Sequence, residues 1–133
     1  MQNISIIGSG LTGPLLANML ANKGYEVDLY EKRNDLRKTN NSAGRSINLA
    51  LSHRGICALE SAQLFEKIKP LLIPMKGRMV HLIDGSLDFQ LYSIKDTNYI
   101  NSISRAELNK ILMNEAEKTG LVNIYFNQEL IDL

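Results

Sequence analysis

The spacing of apolar residues changes along the chain, and each change predicts an element. Residues 3–7, with β-branched Ile4, Ile6 and Ile7, run into Gly8, which predicts a buried strand. Leu11, Leu15, Leu16, Met19 and Leu20 then recur at helical spacing, predicting a helix over 11–23 that Gly24 stops. Pro14 falls in the first turn of that helix, where a missing N–H costs little. Residues 26–31 alternate polar and apolar, as a second strand does. Together the three segments make a βαβ unit.

Beyond it, residues 32–45 are polar and read as a loop, and a helix is expected from Ser52 or His53 to Ala62. Asp84-Gly85 separates two alternating runs, Arg78 to Ile83 and Leu87 to Tyr92, which predicts a β-hairpin. Ser104 and Glu107 have capping-box spacing and open a helix whose apolar face is Leu108, Ile111, Leu112 and Ala116. Gly120 ends it, and residues 122–126 form a last strand. The fold class is therefore α/β, a Rossmann-like βαβ domain with an antiparallel hairpin insertion.

A length of 133 residues suits one domain, 1–133, and 44% hydrophobic residues suffice for a core. The formal net charge of +1 offers no basic field for nucleic acid. No run approaches the roughly 18 apolar residues of a membrane span. Met1 leads straight into the first strand, so a signal peptide is not expected and the location reads as cytoplasmic. Residues 128–133 are still apolar and strand-like, so the chain reads as the front of something longer. Cys57 stands alone, which excludes an internal disulfide framework; in an apolar helix it reads as a small core residue. His53 and His81 lack partners at metal-ligand spacing, and Glu115, Glu117 and Lys118 read as a solvated helix face.

The chemistry begins at Gly8-Ser9-Gly10-Leu11-Thr12-Gly13, a G-x-G-x-x-G between strand and helix. Gly8 permits the tight turn, Gly10 lets the backbone approach a diphosphate, and Gly13 lets helix and strand pack closely. The free N–H groups of the helix start favour that diphosphate. Glu31 lies 18 residues beyond Gly13, at the end of the second strand, where a carboxylate can accept from both ribose hydroxyls. It would also repel a 2′-phosphate, so FAD or NAD is favoured over NADP at this site. Spacing does not separate FAD from NAD. The bland alternative is a turn that packs a helix on a strand and binds nothing.

The segment Gly44-Arg45-Ser46-Ile47-Asn48-Leu49-Ala50-Leu51-Ser52-His53-Arg54-Gly55 resembles the flavin-dependent aromatic hydroxylases. Ile73-Pro74-Met75, Arg78-Met79-Val80-His81 and Ile103 through Lys110 extend the resemblance. It covers all of this chain but only the first third of a typical family member. It implies that the glycine loop, Thr12 included, holds the diphosphate of FAD, with Tyr30, Glu31, Lys32 and Arg33 around the adenosine ribose. Ala50 would lie in a loop beside the flavin, Arg105 would contact the cofactor, and Leu130 would contact its adenine end through the backbone. Arg78 would pair with the substrate carboxylate, and Tyr92 would line the same pocket. The implied substrate is a small aromatic amino acid, L-kynurenine, hydroxylated beside its amino group with NADPH and O₂ as co-substrates. No residue is implied to transfer a proton. Without the resemblance, Arg45, Arg54 and Arg78 would read as ordinary surface arginines and Tyr92 as a core or edge tyrosine. A hydroxylase of another aromatic acid and a truncated, non-catalytic nucleotide-binding module are the remaining alternatives.

Overall fold

A computed structural model describes residues 3–38, 48–93 and 100–132. Three parallel strands carry the glycine loop: β1 (Asn3–Ile7), β2 (Glu26–Glu31) and β8 (Val122–Phe126), in the order β1-β2-β8. Ile4 pairs with Val27 and Leu29 with Ile124, so the apolar side chains of the three strands share one face. Helices α1 (Thr12–Ala21) and α4 (Arg105–Lys118) cover that face, and Ala17, Ala21, Val27, Ala116 and Val122 form the core between the layers.

The opposite face of this sheet carries polar and aromatic residues. Asn3 and Asn123 donate to Asp28 at 2.8 and 3.2 Å, and Tyr30 stacks on Tyr125 with ring centroids 5.2 Å apart. This corrects the expectation of a buried first strand. β1 pairs with β2 alone among the described residues, no described element covers its outer face, and Ile7 is 51% exposed.

The segment between β2 and α4 holds the expected helix and hairpin and a further sheet besides. β3 (Asn48–Leu51) and β4 (Ile73–Met75) both pair antiparallel with β7 (Ile100–Ser104). Ala50 therefore lies inside a strand, opposite Ser102, and not in a loop. Helix α2 (His53–Ser61), the short α3 (Phe65–Ile68) and a 3-10 turn over 69–71 connect β3 to β4. Leu51, Leu59, Leu64, Ile68 and Ile103 join Leu108 and Leu112 of α4 in a second core. The hairpin stands apart as β5 (Gly77–His81) and β6 (Leu87–Leu91), with Gly85 at φ +85° in the turn. It carries exposed Met79, Leu87, Phe89 and Leu91.

Other expectations also change. Cys57 is exposed, its Sγ 3.6 Å from His53 Nε2, because α2 docks through Leu59 and two residues is 200° around a helix. The charges of α4 do not form a uniformly solvated face: Glu115 is largely buried and pairs with Lys67 and Lys118, and Glu117 pairs with Arg37. Residues 128–132 carry no strand. In α1 the buried stripe is Gly13, Pro14, Ala17, Asn18 and Ala21, small side chains that let α4 approach, and Leu16 remains exposed.

Ser104 caps α4 as its sequence spacing predicts, in extended backbone and accepting the Glu107 N–H at 3.3 Å. Ser104→Ala should lower the unfolding free energy by about 1 kcal/mol, read from the urea midpoint at constant slope. An unchanged midpoint would show that the cap contributes nothing to stability.

Candidate functional site

The glycine loop leaves β1 at Gly8, whose φ of +99° turns the chain and whose N–H donates to the Tyr30 carbonyl at 2.7 Å. Gly13 sits beneath it. A Cβ there would overlap the Gly8 carbonyl oxygen and lie 3.2 Å from Leu29 Cδ1. At Gly10 a Cβ would meet nothing within 4 Å, so the space beside the loop is open. Thr12 is the first residue of α1 and is exposed, which leaves the helix N-terminus accessible to an anion.

Glu31 closes β2 with its carboxylate turned toward the loop, and the residue is 5% exposed. Its Oε2 accepts the Ser9 N–H at 2.8 Å, and its Oε1 accepts the Arg33 N–H and Nε at 3.0 and 2.8 Å. The Arg33 guanidinium, then the two backbone N–H groups, hold the carboxyl down at a pKa of about 2 against the opposing effect of burial. Glu31 is therefore ionised and oriented at neutral pH.

The structure brings Gly8, Gly10, Thr12, Gly13, Glu31 and Arg33 to one end of the parallel sheet. Of Tyr30, only the backbone belongs to this group; its ring lies on the opposite sheet face against Tyr125. Lys32 is exposed and pairs with Glu129 at 3.7 Å. Leu130, also exposed, follows a connection in which Gln128 N–H donates to the Glu31 carbonyl at 3.0 Å. Arg105 opens α4 and is exposed, and Ala50 is exposed on β3. Arg45 and the Gly44–Ile47 part of the motif lie outside the described residues.

Arg78 and Tyr92 are close along the hairpin but differ in surroundings. Arg78 donates Nε and Nη2 to Gln90 Oε1 at 3.1 and 2.8 Å and is exposed. Tyr92 follows β6, its N–H donating to the Lys76 carbonyl at 3.0 Å. It lines a cleft of ≈ 800 Å³ together with His53, Ile56, Phe65, Lys69 and Asn101.

Two features went unread in the sequence. Arg37 reaches from the loop after β2 to Asp35 at 2.9 Å, to Asn114 at 3.0 Å and to Glu117, and its guanidinium lies 5.5 Å from the Phe126 ring. It pins the loop carrying Arg33 to α4 and β8. Asn109 of α4 donates Nδ2 to the Ser9 carbonyl at 3.0 Å and is buried. Its only sequence signal is a polar residue at a core position of the helical period, beside Leu108 and Leu112.

The site offers a tight glycine cradle, a helix N-terminus and a fixed carboxylate, and in it the buried Ser9 Oγ and Asn109 Oδ1 have no partner among the described residues. Those residues fit a dinucleotide diphosphate with its adjoining ribose. The chain is 43% identical over 133 residues to a kynurenine 3-monooxygenase of Legionella pneumophila, covering 100% of this chain and 30% of that protein. It is 44% identical to the Myxococcus xanthus enzyme of the same name over 99% of this chain and 28% of that protein. The Sus scrofa enzyme is 43% identical over 97% of this chain and 27% of that protein. The chain thus spans less than a third of the length of the curated relatives it matches. Among solved structures it resembles p-nitrophenol 4-monooxygenase from Pseudomonas putida, with a TM-score of 0.73 at 18% identity over 96% of this chain and 33% of that one. A P. aeruginosa PqsL structure with 2-aminobenzoylacetate gives 0.68 at 25% identity over 95% and 33%. The family described as FAD binding domain matches residues 1–133. Over that full span, the chain belongs to the FAD binding domain family.

Proposed function

We propose that residues 1–133 form the N-terminal FAD-binding domain of a kynurenine 3-monooxygenase, which hydroxylates L-kynurenine to 3-hydroxykynurenine with NADPH and O₂. The observation that carries this reading is identity of 39–48% to proteins of that name from bacteria, insects and a mammal, across nearly the whole chain. FAD, when bound, supplies the redox chemistry and the activation of oxygen. The chain's own part is to hold, orient and exclude water.

In this reading Gly8, Gly10, Thr12 and Gly13 receive the diphosphate, and Glu31 accepts the ribose hydroxyls. The Arg33 guanidinium now occupies part of that carboxylate, and being more than half exposed it can swing away when the nucleotide arrives. Lys32 and Arg33 flank the adenosine, Tyr30 contributes backbone, Leu130 lies toward the adenine end, and Arg105 supplies a guanidinium to the cofactor. The small side chain of Ala50 leaves room for the flavin ring. Arg78 binds the kynurenine carboxylate in exchange for Gln90, and Tyr92 bounds the pocket in which the aromatic ring is held. Among the described residues no helix is long and apolar enough to cross a membrane, and the reading extends to a cytoplasmic location.

The test uses the full-length protein. Kynurenine should stimulate NADPH oxidation and yield 3-hydroxykynurenine. A flavin-loaded protein that did neither, or that responded to hydroxybenzoates instead, would overturn the substrate assignment. Arg78→Ala should raise KM for kynurenine about a hundredfold, the equivalent of the roughly 2–3 kcal/mol of a charge-assisted pair, with flavin content unchanged.

A further inference from the structure

Ser9 is held from both sides. Its N–H donates to Glu31 at 2.8 Å, and its carbonyl accepts from Asn109 at 3.0 Å, 100 residues away in sequence. The acceptor is a backbone carbonyl, so the Asn109 amide must face it with nitrogen. A trans peptide is planar, and the Ser9 C=O and the Gly10 N–H therefore point in opposite directions. Gripping the carbonyl toward α4 turns the Gly10 N–H away from α4. Beside Gly10 the space is open.

We propose that Asn109 is a positioning residue for the cofactor: its grip on the Ser9 carbonyl aims the Gly10 N–H at the diphosphate. The proposal rests on the reading of the loop as the FAD site and adds to it a residue from a different element. Asn109 lies one turn after Arg105, on the same side of α4, so one helix sets both the loop and the arginine. Packing alone does not account for Asn109. Among the described residues its Oδ1 is buried without a partner, as is the Ser9 Oγ, and an unpaired buried acceptor costs stability that an apolar side chain would avoid. Asn18 provides the contrast. It joins α1 to α4 by donating Nδ2 to the Leu112 carbonyl at 3.2 Å, and its other bond goes to the Pro14 carbonyl within its own helix, and neither bond goes to the glycine loop.

The experiment measures dissociation constants of FAD, ADP and adenosine for the full-length protein freed of flavin, by calorimetry and flavin fluorescence. Asn109→Ala removes the donor, and Asn109→Asp keeps the size while turning a donor into an acceptor. Both variants should weaken FAD and ADP about tenfold and leave adenosine, which lacks the diphosphate, unchanged. Asn18→Ala should lower the melting temperature and preserve the ratio of ADP to adenosine affinity. If ADP and adenosine weaken together in the Asn109 variants, the role is structural and the proposal fails. It fails equally if neither ligand changes. Wild-type protein that binds neither FAD nor ADP would overturn the site reading itself, and the proposal with it.

Discussion

Gly13→Ala should abolish flavin binding. The added methyl group would overlap the Gly8 carbonyl oxygen and crowd Gly8 C and Leu29 Cδ1, each at 3.2 Å. Two of those atoms are backbone of the turn itself, so relief cannot come from a side-chain rotamer. Either α1 moves off the sheet or the turn at Gly8 opens. In both cases the loop N–H groups leave the positions from which, in the proposed site, they would meet the diphosphate. The conformational cost is on the order of 3 kcal/mol, the upper end for overpacking. The purified full-length variant should be colourless, with FAD affinity reduced at least a hundredfold and a lower melting temperature. Flavin bound at wild-type stoichiometry and affinity would show that the close contact of α1 with Gly8 is not what shapes the site. Gly10→Ala makes an informative companion, since its methyl group meets open space in the protein and would obstruct only the ligand.

The second large effect lies at Glu31, and it should appear in the pH dependence of stability. The folded pKa is about 2, down from 4.5, chiefly through the hydrogen bonds of Arg33, with the Ser9 N–H contributing. Because the folded value is depressed, the stabilisation is fully present above about pH 4.5. It is lost progressively as the pH falls toward 2. Its size is about 3 kcal/mol as an upper bound, since Arg33 is largely in solvent and its pairing is screened. Glu31→Gln removes the charge and brings an amide N–H against donors. We expect a loss of about 2–3 kcal/mol at pH 7. The acid limb of the stability curve between pH 4.5 and 2 should flatten correspondingly. On the proposed reading of the site, in which Glu31 is the ionised acceptor of the ribose hydroxyls, FAD affinity should fall about a hundredfold. Urea unfolding at a series of pH values, beside flavin titration at pH 7, checks both. Identical acid limbs in the two proteins would mean that Glu31 does not carry the linkage.

The hairpin and the helix cap were legible because their signals are short-range. Asp84-Gly85 between alternating runs, and Ser104 three residues before Glu107, act through backbone geometry within a few residues. The β3-β7-β4 sheet was not legible in the same way. Its strands are three to five residues long, β4 contains Pro74, and the pairing partners are tens of residues apart. Cys57 shows the limit of periodicity: an apolar residue in an amphipathic helix is buried only if the neighbouring element lies on its side. Asn18 shows the converse, a polar residue buried because a carbonyl of another helix receives it.

The amino-acid sequence by itself determined the βαβ unit, the glycine turn between its first strand and helix, and an acidic residue at the end of its second strand. All three follow from local period and from backbone conformations open mainly to glycine. Only the tertiary structure decided that Glu31 takes the Ser9 N–H, that Arg37 ties the following loop to α4, and that Asn109 holds the Ser9 carbonyl. Those contacts join residues 22 to 100 positions apart. A hydrogen bond of that span exists only once hydrophobic packing has placed α4 against α1, and no local pattern records which donor will then face which carbonyl.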